Sequence, residues 1–167
     1  MSKTDENLKA AFAGESQANR KYLAFAKKAE EEGYKNVAKL FRAAAASETV
    51  HAMSHFKVMG GIRNTIDNLR AAHDGETYEK TEMYPEFIKT AKEEGNKDAV
   101  RTFTWAIKAE KVHADLYTKA QDAVETGKDA EIDALQVCQR CGYTVEGEAP
   151  DICPVCGAPK SMFKEIV

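Results

Sequence analysis

The feature that most constrains this chain is a duplicated half-site. Leu8 to Glu15 reads LKAAFAGE, and Leu69 to Glu76 reads LRAAHDGE. Farther on, Glu48-Thr-Val-His51-Ala is answered by Glu110-Lys-Val-His113-Ala. The offsets are 61 and 62 residues, which marks an internal repeat. Each copy offers one lone Glu and one Glu-x-x-His. Together the copies supply four carboxylates and two imidazoles. Helical bundles use that set, projected inward from facing helices, to hold a pair of iron or manganese ions.

The surrounding pattern predicts four helices. The first is capped by Thr4, with Asp5 and Glu6 in its first turn, and ends at Gly33. The second runs from about Lys35 to Val58 and stops at Gly60-Gly61. The third starts near Thr65 and ends at Gly95, and the fourth runs from about Lys97 to Thr126. Apolar residues recur at spacings of three and four. The second helix reads Val37, Phe41, Ala44, Glu48, His51, His55, Val58, and the fourth reads Ala99, Phe103, Ala106, Glu110, His113, Tyr117, Ala120, Val124. The ligand candidates therefore lie on the expected core stripe. Several carboxylates inside one bundle make sense only with cations between them. His55, one turn beyond His51, offers a His-x-x-x-His zinc pair as a weaker alternative, because Glu48 is better placed and His55 has no counterpart in the second copy; His73 aligns with Phe12 and is read as structural.

Glu79 breaks the symmetry. It lies three residues after Glu76 on the same face, where the first copy has Ala18. A fifth carboxylate nearly balances two ferrous ions, or two ferric ions with an oxo bridge. It also gives one metal two alternative ligands, Glu79 and His51, a hard carboxylate and a borderline imidazole. An ordinary surface Glu is the competing reading.

Past residue 126 the texture changes. Residues 127–134 read as a polar linker, and 135–167 hold all four cysteines and three of the four prolines. Cys138-Gln-Arg-Cys141 and Cys153-Pro-Val-Cys156 are paired knuckles that suit one tetrahedral metal ion. Zinc ribbons share this spacing. The Gly-Tyr and Pro-x-Cys-Gly decorations, and the neighbouring bundle site, favour iron. The expected organisation is thus a helical domain (1–126), a linker (127–134) and a small metal-nucleated domain (135–167). A net charge of −3 argues against a nucleic-acid partner. No apolar run is long enough to span a membrane, and the first residues lack a signal-peptide core. A cytoplasmic protein is expected.

These residues resemble the rubrerythrins, over essentially the whole chain. The Glu-Met-Tyr-Pro stretch at 82–85 is a specific part of the match. The resemblance implies an all-α four-helix ferritin-like bundle followed by a rubredoxin-like domain. It implies bridging carboxylates at Glu48 and Glu110. Glu15 with the alternative pair His51 and Glu79 would hold one iron, and Glu76 with His113 the other. Cys138, Cys141, Cys153 and Cys156 would hold a third iron. Zinc can replace iron in recombinant material. Tyr22 and Tyr84 resemble tyrosines standing behind the ligands, and Glu79, His51, Tyr22 and Tyr84 are the residues implied in catalysis. The implied activity is reduction of hydrogen peroxide to water. Electrons would enter through the four-cysteine iron from a separate NAD(P)H-linked reductase or a rubredoxin. The chain has no Rossmann glycine fingerprint, so the nicotinamide should bind elsewhere.

The link between the second and third helices bears on assembly. In a ferritin-like bundle it must run the bundle's length, about 36 Å for helices of this size. Residues 59–64 reach only about 20 Å when extended. A homodimer that exchanges helical hairpins is therefore expected. Two other functions compete. A ferroxidase or iron-storage protein would need neither the cysteine domain nor Glu79. A non-catalytic zinc-ribbon module would leave the buried carboxylates unexplained.

Overall fold

The computed structural model describes residues 2–167, which form two compact units, Met1–Arg63 and Asn64–Val167. The first unit is a helical hairpin of α1 (Lys3–Glu31) and α2 (Lys35–Val58). Ser2, rather than Thr4, caps α1. Its hydroxyl accepts from the Asp5 N–H at 3.1 Å, and the Asp5 carboxylate accepts from the Ser2 N–H at 2.8 Å. This reciprocal box satisfies two amides that a cap at Thr4 would leave open. At the other end, Tyr34 N–H reaches Ala29 O and Gly33 N–H reaches Glu30 O, with Gly33 at φ +87°. The first turn of that loop needs a left-handed residue, and glycine supplies it without strain. The same pair of bonds recurs at Gly95, from Asn96 to Ala91 and from Gly95 to Lys92.

The second unit begins with α3 (Thr65–Tyr78), capped by Asn64 through the Asp67 N–H. One π-helical turn (Glu79–Met83) follows, then α4 (Tyr84–Glu93). The backbone stays right-handed throughout, so these three pieces make up the single third helix expected from the sequence, with a widened turn inside it. Pro85 sits just after that turn, at the start of α4. A proline ring needs room against the preceding turn and offers no N–H, and a widened turn accommodates both. The fourth long helix, α5 (Lys97–Glu125), is capped by Asn96 through the Ala99 N–H.

The tightest packing is made by alanines. Ala26 and Ala29 on α1 and Ala38, Ala45 and Ala52 on α2 are buried in the first unit, and Ala91, Ala109, Ala114 and Ala120 in the second. Apart from Ala120, this seam is not the stripe read from the sequence. Within each hairpin the backbones approach closely over small side chains, while Val37 and Val58 of the expected stripe remain exposed. Asn19 is the polar exception. Buried on α1, it donates to Ala45 O at 2.7 Å and Thr49 Oγ1 at 2.8 Å on α2.

Residues 128–134 carry no helix or strand. Three short strands follow: β1 (Leu135–Cys138), β2 (Thr144–Glu146) and β3 (Phe163–Ile166). They form an antiparallel sheet in the order β2-β1-β3. The small core beside it consists of Cys138, Cys153 and Ala158, flanked by Tyr143 and Phe163. Among the described residues, no helix is long and apolar enough to cross a membrane.

Candidate metal centres

Each helical unit gathers one half of the duplicated site. In the first, α1 supplies Glu15 and α2 supplies Glu48 and His51. The His51 Nδ1 lies 3.0 Å from Glu48 and 3.9 Å from Glu15. In the second, α3 supplies Glu76 and α5 supplies Glu110 and His113. The His113 Nδ1 lies 2.7 Å from Glu110 and 3.6 Å from Glu76. The donor atoms of each trio all lie within 4.8 Å of one another. Two ligands at right angles around one ion, each about 2.1 Å from it, stand ~3 Å apart. The His–Glu separations match that spacing.

The electrostatics also suit a cation. Within each trio the two glutamates lie close together, Glu15 with Glu48 and Glu76 with Glu110. Two carboxylates held this close repel when both are ionised, and a divalent cation between them relieves that repulsion. Burial, followed by the hydrogen bond and charge of Glu110, pushes the Glu76 carboxyl up to about 7. Burial raises Glu110 as well, but hydrogen bonds from His113 and Glu76 bring it below the usual range. The Glu110 hydrogen bond holds His113 above its ordinary value despite burial. The two imidazoles are not equivalent: the His51 side chain is 52% exposed, whereas that of His113 is 30% exposed.

Glu79 opens the π-helical turn, partly buried beside this second trio. Burial and then the Glu110 charge push its carboxyl upward. The repeat explains the widened turn that it opens. Glu15 recurs 61 residues later as Glu76, but Tyr22 recurs 62 residues later as Tyr84. One residue has therefore been added between Glu76 and Tyr84, and the helix absorbs it as the π turn. This is the usual structural consequence of a single insertion into a helix.

Tyr84 stands near the same carboxylates. Burial, then the charges of Glu79, Glu110 and Glu76, raise its hydroxyl above the ordinary tyrosine value. Tyr22 occupies the matching place in the first unit. Its ring packs against Phe25 and Phe41 at 6.3 and 6.2 Å, as Tyr84 packs against Phe87 and Phe103 at 6.3 and 6.1 Å. Tyr117 is a neighbour not singled out from the sequence. Burial and the Glu76 and Glu110 charges raise its hydroxyl too. Its signal was its place on the α5 stripe, one turn past His113 and at the repeat position of His55.

In the small domain the four sulfurs come together. Cys138 Sγ lies 3.7 Å from Cys156 Sγ, and Cys141 Sγ lies 3.6 Å from Cys153 Sγ. Four thiolates held about 2.3 Å from a tetrahedral ion are roughly 3.8 Å apart. The cysteines thus fit such an ion with little rearrangement.

A family model described as rubrerythrin matches residues 6–121, and one for the rubrerythrin rubredoxin-like domain matches residues 136–164. The chain belongs to the rubrerythrin family. It is 39% identical to rubrerythrin-2 of Clostridium acetobutylicum, over 96% of this chain and 95% of the relative. It is 41% identical to nigerythrin of Nitratidesulfovibrio vulgaris, over 96% of this chain and 85% of the relative. A solved structure of nigerythrin in a partially reduced state aligns with a TM-score of 0.56 at 39% identity, covering 99% of this chain and 88% of that one. The fold expected from the resemblance, a ferritin-like helical bundle with a rubredoxin-like domain, is the one this rubrerythrin-family chain adopts. Its two carboxylate–imidazole trios are candidate halves of a di-iron centre, and its four cysteines form a rubredoxin-like site.

Proposed function

We propose that this protein is a di-iron peroxidase that reduces hydrogen peroxide to two waters, taking up two electrons and two protons. The carrying observation is the coexistence, in one chain, of two Glu-Glu-His trios and a four-sulfur site of rubredoxin type. Family membership supports the reading. The solved states of nigerythrin include one described as fully reduced and all ferrous, which makes iron the natural metal here.

In this reading Glu15, Glu48, His51, Glu76, Glu79, Glu110 and His113 hold two irons, and Cys138, Cys141, Cys153 and Cys156 hold one. When bound, the paired irons would supply Lewis acidity and two electrons, and an iron held by the four cysteines would supply one-electron transfer. The chain itself organises protons. The Tyr84 hydroxyl keeps its proton at neutral pH, because burial and then the charges of Glu79, Glu110 and Glu76 raise it. A hydroxyl held there can hydrogen-bond to an oxygen as an O–O bond breaks. The His51 ring, partnered by Glu48, is less enclosed than that of His113, which suits an alternation with Glu79 as ligand.

The half-sites reside in separate units, and residues 59–64 are too short to run the bundle's length. Both facts support a homodimer in which hairpins are exchanged, the first trio of one chain completing the second trio of its partner. Family matches over residues 6–121 and 136–164 support domain limits of 1–126 and 135–167 with a linker at 127–134, and the cytoplasm suits four cysteines given to metal. An external NAD(P)H-linked reductase or rubredoxin would deliver the electrons.

Stopped-flow mixing of the reduced protein with peroxide tests this. The visible band of the ferric thiolate centre should appear within milliseconds, at one peroxide per two electrons, far faster than with dioxygen. Oxidation driven instead by dioxygen or added ferrous iron would make the bundle an oxidase or ferroxidase.

A further inference from the structure

His113 faces two ways. Its Nδ1 points to Glu110 and Glu76, and its Nε2 lies 2.9 Å from the hydroxyl of Thr144. Thr144 opens β2 of the small domain, three residues after Cys141, and is 6% exposed. Its own proton is directed to the carbonyl of Gly142, at 3.4 Å. A hydroxyl so committed accepts from an Nε2–H. Without metal the Nδ1 proton goes to Glu110; when a metal takes that proton's place, an imidazole whose other proton stays on Nε2 offers its Nδ1 lone pair to the ion. Imidazole ligands are generally oriented by the hydrogen bond made at the other nitrogen.

Thr144 reaches this place because the small domain is docked on α5. Lys119 pairs with Glu146 at 2.6 Å. Arg140, inside the first cysteine knuckle, lies over the Trp105 ring at 5.8 Å. Between these contacts Leu116, Tyr117 and Ala120 share an apolar pocket with Leu135, Val137 and Ile166. The docked domain has almost no core beyond its cysteines. Cys138 and Cys153 are its largest fully buried side chains. A domain of that kind folds on its metal.

We propose that Thr144 is a positioning residue for metal ligation by His113, so that the helical centre reaches full affinity only when the four-cysteine domain is folded around its own ion. This rests on reading the trios as a metal centre. The coupling is reciprocal, as any linkage between two binding sites must be. The small domain thereby acts as part of the helical site's structure as well as its electron source.

Zinc is a suitable probe because it is diamagnetic and fits both sites. Its affinity for the helical site of the full-length chain is measured by competition with a chromophoric chelator, alongside the ¹⁵N spectrum of the His113 ring. Thr144→Val should weaken that site about 10–100-fold and expose the Nε2–H to exchange, while Thr144→Ser should restore both. Cys138→Ser with Cys153→Ser should produce a similar loss, and adding Thr144→Val should deepen it no further. Wild-type affinity in Thr144→Val, or losses that add, would overturn the proposal. If valine unfolds the small domain, seen as lost zinc at the cysteines, the zinc-loaded wild-type spectrum decides. A protected Nε2–H supports the proposal, and a proton on Nδ1 overturns it. Failure of the unaltered helical site to take up zinc would overturn the metal-centre reading and this proposal together.

Discussion

Tyr84 donates its backbone N–H to the carbonyl of Glu79, five residues back, where an α-helix would reach back four. That single bond records the residue inserted into the second copy of the repeat. One residue turns a helix by about 100°, so the widened turn takes up the insertion after Glu79: Glu79 stays three residues past Glu76 in α register, and Tyr84 keeps the place of Tyr22.

Deleting Lys80 should return this helix to α register and remove the widened turn that Glu79 opens. The expected result is retained helix content by circular dichroism. Peroxide reduction should fall at least about tenfold, equivalent to ~1.4 kcal/mol in the barrier. Glu79→Ala should show the same loss with the π turn intact. Full activity in Glu79→Ala would make Glu79 an ordinary residue, and full activity in the deletion would make the widened turn dispensable.

Asn19 joins α1 to α2 through two hydrogen bonds from one buried amide. Asn19→Ala should destabilise the protein by about 1–3 kcal/mol, read as a shifted urea midpoint with an unchanged slope. Its loss should leave the spectrum of the four-cysteine site unaltered.

The metal-free protein should lose stability as pH rises. The folded Glu76 carboxyl is pushed up to about 7, against 4.5 for an ordinary glutamate. His113 is likewise raised above 6.5. For both groups the folded state binds the proton more tightly, so the stability they contribute at low pH is lost as pH climbs through the folded values. Glu110 is shifted the other way, and its contribution is lost on acidification instead. Thermal midpoints of the metal-free chain should therefore fall between about pH 5 and about pH 7, with His113 extending the decline above 6.5, and metal loading should abolish it. A midpoint that rises over this range would contradict the assignment.

Stripping metal from the four cysteines should unfold residues 135–167 and leave the helices standing. The small domain's core is its ligand set, Cys138 and Cys153 above all. Limited proteolysis of the Cys153→Ser protein should cut beyond residue 127 and spare α1 to α5. A protease-resistant small domain without metal would show that its packing suffices alone.

Much of this molecule was legible in its sequence because the relevant physics is local. Helix limits followed from periodicity and from glycines such as Gly33 and Gly95, whose loop bonds involve only the last turn. The trios followed from Glu-x-x-His, which a helix places on one face whatever surrounds it. The cysteine site followed from two tight knuckles. The cap at Ser2 was missed because the Asp5 partner that decides it is a side chain reaching backward.

What only the tertiary structure decided depends on elements meeting across space. Periodicity marks which helix face is apolar, but the closeness of two backbones decides that Ala38, Ala45 and Ala52 fill the seam while Val37 and Val58 do not. The repeat offset changes from 61 to 62 in plain view, yet folding energetics choose the turn that absorbs the extra residue. Thr144 carries no sequence signal as a partner of His113. The two lie 31 residues apart, and their 2.9 Å hydrogen bond exists because a small metal-folded domain packs its sheet on α5. Spacing along a chain specifies what one helix or one knuckle presents, and packing specifies what it is presented to.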